Sequence, residues 1–286
     1  GKSFGKVHQA RIADLKRLLK THPSREDAQN LLALADSLLV YSHSQDLLKR
    51  SGSELLEWLQ AFLDFLRRRD QDVNVAYFMP PNSGSSFLLV NAPDVPYLVD
   101  SLKTILQHLP QRAMVISHPI LNIMRKDGVL TGIGEQFAEG QLESFMIVQF
   151  EGVRDLDTTS IEEEIRRVFQ IAETVGRQRK DLNQSLQKLA LMDESQEQKD
   201  FTEWLLNGNF ICFGHASVEV LNLNGKTAKF RLIEAPLGWL PDTLLAQVDG
   251  AKRTPEFTKR AKKILARKNP LVVEILQEVS PIYQQD

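Results

Sequence analysis

Cysteine is almost missing from this chain, with Cys212 alone among 286 residues. A single cysteine excludes an internal disulfide and a thiolate metal cluster, and it fits a reducing cytoplasm. Its neighbours Phe210, Ile211 and Phe213 predict a buried small hydrophobe. Long apolar runs are missing as well. No stretch reaches the roughly 18 residues that a membrane helix needs. The opening around Phe4 is polar and basic, unlike a signal segment. Charge of one sign is also lacking: 35 Lys and Arg against 37 Asp and Glu leave a formal net charge of -2. That balance favours neither nucleic acid nor an anionic membrane.

The sequence motifs of catalysis are scarce too. A nicotinamide site needs a glycine-rich turn between strand and helix, where the backbone approaches a pyrophosphate. The nearest match, Gly132-Ile133-Gly134-Glu135-Gln136-Phe137, has Phe137 where the third glycine belongs and no amphipathic helix behind it. It predicts a hairpin loop. There is no Walker loop, no His-Glu-x-x-His pair and no Gly-x-Ser-x-Gly elbow. The histidines at 8, 22, 43, 108, 118 and 215 show no metal-ligand spacing. Asp94 and Asp100 are six residues apart and turn to different sides of a helix, so they form no acid-base pair. We therefore expect no catalytic, cofactor-binding or metal-binding residue in this chain. The run Arg67-Arg68-Arg69 and the basic stretch from Lys252 to Lys268 predict solvated faces rather than a nucleic-acid surface. Trp58, Trp204 and Trp239 sit beside leucines and are expected in a core.

What is present is organised. The first seventy residues are helical, with Ile12, Leu15 and Leu19 on one face and Leu31, Leu34 and Leu38 on another after Ser24. Ser51 with Glu54 reads as a capping box ahead of Leu55, Leu59, Phe62 and Leu66. Val73 to Phe78 alternates as a strand and pairs across the Pro80–Gly84 cluster with the apolar strand Ser86 to Asn91. A helix follows, with Asp94 suited to its N-cap, Pro96 to its first turn, and Leu98, Leu102, Ile105 and Leu109 on one face. Ala113 to Arg125 and Leu142 to Phe150 are strand-like, joined by a glycine-rich polar loop. A helix runs from about Ser160 to Leu191 behind the cap candidates Thr158, Thr159 and Ser160. Unbroken, it would be about 48 Å long; Gly176 offers a point of interruption, and Arg179 occupies its apolar seam. A strand from Phe210 to Val220 has a hairpin partner in Lys229 to Glu234. From Pro255 onward come a basic helix and the short apolar run Leu271 to Ile275.

The order strand, helix, strand, strand, helix, strand is the split βαβ arrangement of ferredoxin-like modules, which ACT domains use. The expected class is α+β: a helical subdomain over residues 1–70, an ACT-like βαββαβ module over 71–190 with a long helix, and a further small α/β segment over 191–286.

The motif residues carry a family resemblance. Asp94-Val95-Pro96-Tyr97-Leu98-Val99-Asp100-Ser101, then His118-Pro119, Asp127-Gly128 and Glu143-Ser144-Phe145-Met146 follow in order. Phe201 to Phe213 and Pro236-Leu237-Gly238 come after them. This succession, over roughly residues 70 to 245, resembles the N-terminal region of the large-subunit class of bacterial NAD-dependent glutamate dehydrogenases. The resemblance implies a parent enzyme that oxidises L-glutamate to 2-oxoglutarate and ammonia with NAD as cofactor. Its cofactor and glutamate sites lie far downstream of the matched segment. This chain would be a non-catalytic, regulatory and structural N-terminal fragment, cytoplasmic, binding neither nucleic acid nor membrane. Its partners would be an amino-acid effector and the other domains and subunits of the parent, as a homo-oligomer. A free-standing ACT-like binding module and a nucleic-acid binder using the basic helix are the rival readings. Any effector is expected at the turn from Asn91 to Pro96, where a helix N-terminus favours anions. There Asn91 suits an effector carboxylate, and Asp94 its ammonium, unless Asp94 is only the cap.

Overall fold

The computed structural model describes residues 2–41, 50–80, 85–151, 157–192, 196–209, 211–222, 229–240 and 282. Helices α1 (Lys2–Leu19), α2 (Arg25–Tyr41) and α3 (Gly52–Leu66) form where leucine periodicity and capping residues agree. The Ser24 hydroxyl accepts from the Asp27 N–H at 3.1 Å at the head of α2. Ser51 and Glu54 complete a capping box on α3: Ser51 Oγ accepts the Glu54 N–H at 3.3 Å and Glu54 Oε2 accepts the Ser51 N–H at 2.9 Å. Two otherwise orphaned donors are thereby satisfied.

Strands β1 (Asn74–Phe78), β2 (Ser85–Pro93), β3 (Ala113–Ser117), β4 (Ile120–Lys126), β5 (Val129–Ile133) and β6 (Gln141–Glu151) make one sheet. Its order is β1-β2-β6-β4-β5, and β3 pairs with β6 further along the strand that β4 also pairs. Every pairing is antiparallel. Helix α4 (Leu98–Gln107) links β2 to β3, and α5 (Thr158–Met192) follows β6. This is an α+β, ACT-like fold. The place beside β2 that a split βαβ order gives to a strand after the second helix is filled by β1, which precedes β2 in the chain. The strand expected from Phe210 to Val220 does not enter this sheet. Its described parts, Gly214–His215 (β7) and Val218–Asn222 (β8), pair instead with Leu237–Gly238 (β10) and Lys229–Leu232 (β9).

Alternation along β2 and β6 sorts side chains between two faces. Phe87, Leu89, Phe145 and Ile147 share a core with Leu15, Leu31, Leu34, Trp58, Leu59 and Phe62 of the three helices. Edge-to-face contacts join Trp58 to Phe87 at 4.9 Å and Phe62 to Phe145 at 5.8 Å between ring centroids. Leu88, Val90, Met146 and Val148 point the other way and are buried as well. Leu98, Leu102 and Leu106 form the buried stripe of α4. The expected stripe continued through Ile105 and Leu109, but α4 ends at Gln107 and its ladder turns Leu106 inward instead.

Periodicity alone does not show one strand, although the resemblance places a hairpin at Asp127-Gly128. Between the two expected strands, β5 returns along β4 through the two-residue turn Asp127–Gly128, whose φ values are 52° and 78°. An Asp-Gly pair suits this left-handed hairpin turn. Helix α5 runs 35 residues without interruption at Gly176, and its cap is Asp157 rather than Thr158, Thr159 or Ser160. Asp157 accepts both the Ser160 N–H and the Ser160 hydroxyl, at 3.1 and 2.7 Å.

The chain divides into two compact units, 1–170 with 282–286 and 171–281. Neither limit falls at the expected positions 70 or 190. In the second unit the short strands β7 and β10 pair, and the Gln178 side chain of α5 accepts the Gly238 N–H. A nine-residue helix, α6 (Gln196–Trp204), runs into a π-helical turn, Leu205–Asn209. The basic stretch after Pro255 and the Leu271–Ile275 run lie outside the described residues.

Candidate functional site

Neighbouring residues of β6, Glu143 and Ser144, point to opposite faces of the sheet, and each is the hub of a buried polar group. On the α4 side, Ser144 Oγ donates to Asp94 Oδ1 at 2.6 Å, and His118 Nε2 lies 3.3 Å from the same oxygen. A hydroxyl carries one proton, and a carboxylate only accepts. The Ser144 proton therefore goes to Asp94, and His118 donates its Nε2–H to Ser144. This order, His to Ser to Asp, is the reverse of a nucleophilic triad, where the histidine takes the serine proton. The relay positions Asp94; it does not activate Ser144. Burial holds the His118 pKa below the usual histidine value, opposed by the Asp94 charge and assisted by Lys103. Either ring form can donate from Nε2, and burial favours the neutral one.

On the helical side, Glu143 is fully buried. Arg125 binds both of its oxygens, Nε to Oε1 at 2.7 Å and Nη2 to Oε2 at 3.0 Å, and Arg69 approaches Oε1 at 3.3 Å. The Asn91 amide donates to Glu143 Oε2 at 2.9 Å and to the Ser144 carbonyl at 3.3 Å. Arg125 also donates to the Leu66 carbonyl at the end of α3 and to the Gly128 carbonyl of the β4–β5 turn, at 2.9 and 3.1 Å. A buried carboxylate is tolerable only when paired and hydrogen-bonded in this way. The cluster thus ties α3, the β4–β5 hairpin and β6 together.

These positions differ from what the sequence predicts for the turn. Asp94 is not the N-cap. Helix α4 starts at Leu98 behind Tyr97, whose φ is 78° and whose side chain makes no capping bond. Asp94 is drawn away by Ser144, fifty residues later in the chain, and its own N–H donates to the Leu142 carbonyl at 2.9 Å. Asn91 lies beneath the turn with no exposure, its amide engaged as above and its Oδ1 without a partner among the described residues. His118 bonds the Ser144 side chain. Sequence periodicity gives no sign of Ser144 or Arg125, since their partners come from other strands. Only the antiparallel register brings Ser144 beside Ala92 and Ile120.

The other candidate motifs are occupied by structure. At Gly132 an added Cβ would lie 2.2 Å from the Phe137 ring, so this glycine makes room for that side chain. Gly134, at φ 140°, begins a tight loop held by the Asn122 amide, which donates to the carbonyls of Gly134 and Phe137 at 3.0 and 2.9 Å. The loop leads into β6, not a helix. Arg67 pairs with Asp27 and Asp64, Arg68 with Asp70 and Arg69 with Glu143. The Arg67 guanidinium holds the Asp27 carboxyl below its usual range. Trp58 is buried as expected, but Trp204 is 52% exposed and stacks on Phe201. Cys212 is half-buried, and desolvation pushes its thiol pKa up. Among the described residues, no three acidic, histidine or cysteine side chains gather to hold a metal ion. No described helix is long and apolar enough to cross a membrane.

Comparison with known proteins bears on the segment that holds this site. The family model described as "Glutamate dehydrogenase, ACT1 domain" matches residues 34–165. No curated protein matches the chain.

Proposed function

We propose that this chain is the regulatory and structural part of an NAD-dependent glutamate dehydrogenase, a reading supported by the match of residues 34–165 to the glutamate dehydrogenase ACT1 domain model. In this reading the parent enzyme oxidises L-glutamate to 2-oxoglutarate and ammonia with NAD, in the cytoplasm, and this chain contributes no chemical step. It binds an amino-acid effector and contacts other domains and subunits of a homo-oligomer. Coupling to the distant catalytic site is then limited by the effector's differential affinity for two states.

The observation that carries the effector assignment is the position of Asp94. Its carboxylate accepts the Ser144 hydroxyl, and its backbone N–H donates to the Leu142 carbonyl, at the mouth of the turn. Four residues on, α4 begins with no side-chain cap. An amino acid carries an ammonium and a carboxylate: Asp94 suits the first, and the first-turn N–H groups, which have no partner inside a helix, suit the second. Asn91 acts from beneath, bracing the turn through Glu143 and the Ser144 carbonyl. Calorimetric titration of the chain with single L-amino acids tests this. We expect one to bind, and Asp94→Ala to weaken it by at least about tenfold, or 1.4 kcal/mol. Binding unaffected by Asp94→Ala, or no binding by any amino acid, would overturn the assignment.

A further inference from the structure

The first turn of α4 has two starting points within reach of its sequence. In the structure the helix begins at Leu98, and Tyr97 precedes it at φ 78° and ψ -8°. Among the described residues, two non-glycine positions have positive φ, Tyr97 and Asp127. Asp127 occupies an Asp-Gly hairpin turn, where that conformation is ordinary. Tyr97 is buried, and a bulky side chain suits the left-handed region poorly because Cβ crowds the backbone.

The second start lies one turn earlier. With Asp94 as N-cap, Val95 and Pro96 take the first two helical positions, where proline has no needed N–H to lose. Tyr97 then becomes the third residue, whose N–H a cap carboxylate accepts. Its φ moves to the ordinary helical value. In the structure the Asp94 carboxylate is held through Oδ1, which accepts the Ser144 hydroxyl at 2.6 Å. Each start carries one backbone penalty: Tyr97 in the left-handed region for the short helix, and helical Val95 directly before proline for the long one. One carboxylate hydrogen bond is exchanged for another.

We propose that residues 94–97 form a two-state switch, in which Asp94 leaves Ser144, caps α4 one turn earlier and releases Tyr97 from the left-handed conformation. Ser144 and His118 are freed in the same step. Every group involved belongs to the chain itself, so the switch stands or falls apart from the effector reading.

Backbone carbon chemical shifts of Val95, Pro96 and Tyr97, measured by NMR on the intact 286-residue chain, decide it. In Ser144→Ala, with Asp94 released, these shifts should move toward helical values. Adding Asp94→Ala should return them toward the parent values. Unchanged shifts in Ser144→Ala would overturn the switch, and so would helical shifts that persist without Asp94. Should Ser144→Ala fail to fold, Pro96→Ala carries the test, because it removes the restriction on Val95. It should move Val95 and Tyr97 toward helical shifts, and no movement would overturn the proposal.

Discussion

His118 is a residue whose charge burial opposes and the Asp94 carboxylate favours. Its folded pKa is depressed by burial below the ordinary 6.5. The unfolded chain therefore takes up a proton first as pH falls. The stability that His118 contributes is complete above about pH 6.5 and is lost as pH drops from there through its folded pKa. Melting temperature followed from neutral pH down to ~5 should fall, and His118→Asn, which keeps a donor for Ser144, should show a shallower slope. Identical slopes in the two proteins would contradict a depressed His118 pKa in the folded chain. Asp94 teaches the complementary lesson about legibility. Its type and position before a helix predict a cap, and local sequence contains nothing that competes. The competitor, Ser144, becomes a neighbour only through β-sheet register. The pairing of Glu143 with Arg125 was not legible either, because a buried ion pair leaves no periodicity.

Among the elements, those defined by local chemistry were readable. The capping box at Ser51, the leucine stripes of α1 to α3 and the β1–β2 hairpin all follow from residue types within one or two turns of each other. Strand β5 was not readable, because Gly132 and Gly134 resemble a loop until Phe137 is known to fill the space that Gly132 leaves. Gly132→Ala should cost about 1–3 kcal/mol by overpacking that ring, measured by denaturant unfolding. In a Phe137→Ala background the extra cost should shrink, since the clash is gone; undiminished cost there would assign the glycine to backbone needs alone. Within the second unit, Leu182 of α5 is fully buried, and a Cβ at Gly238 would stand 3.1 Å from its methyl group. An aspartate at 182 would bury an unpaired charge beside the β7–β10 ladder. Leu182→Asp should therefore raise hydrogen exchange at the Gly238 amide. Protection there equal to the parent's would show that the ladder does not depend on this contact.

For the whole molecule, the class of fold was legible in the residues. The helical stretch and the sheet looked separable because each has its own periodicity, yet Trp58, Phe62, Phe87 and Phe145 belong to one core. The division of the chain falls inside α5, at 170 to 171, where an uninterrupted helical repeat gives the sequence no punctuation. The match of residues 34–165 to the glutamate dehydrogenase ACT1 domain model spans the ordered motif blocks from Asp94 to Met146. The central proposal, a regulatory part that leaves the chemistry to the rest of its enzyme, is tested most directly by equilibrium titration of the purified chain with NAD, alone and with L-glutamate. No heat of binding and no reduction of NAD are expected. Saturable NAD binding at about micromolar affinity, near -8.2 kcal/mol, would contradict that proposal.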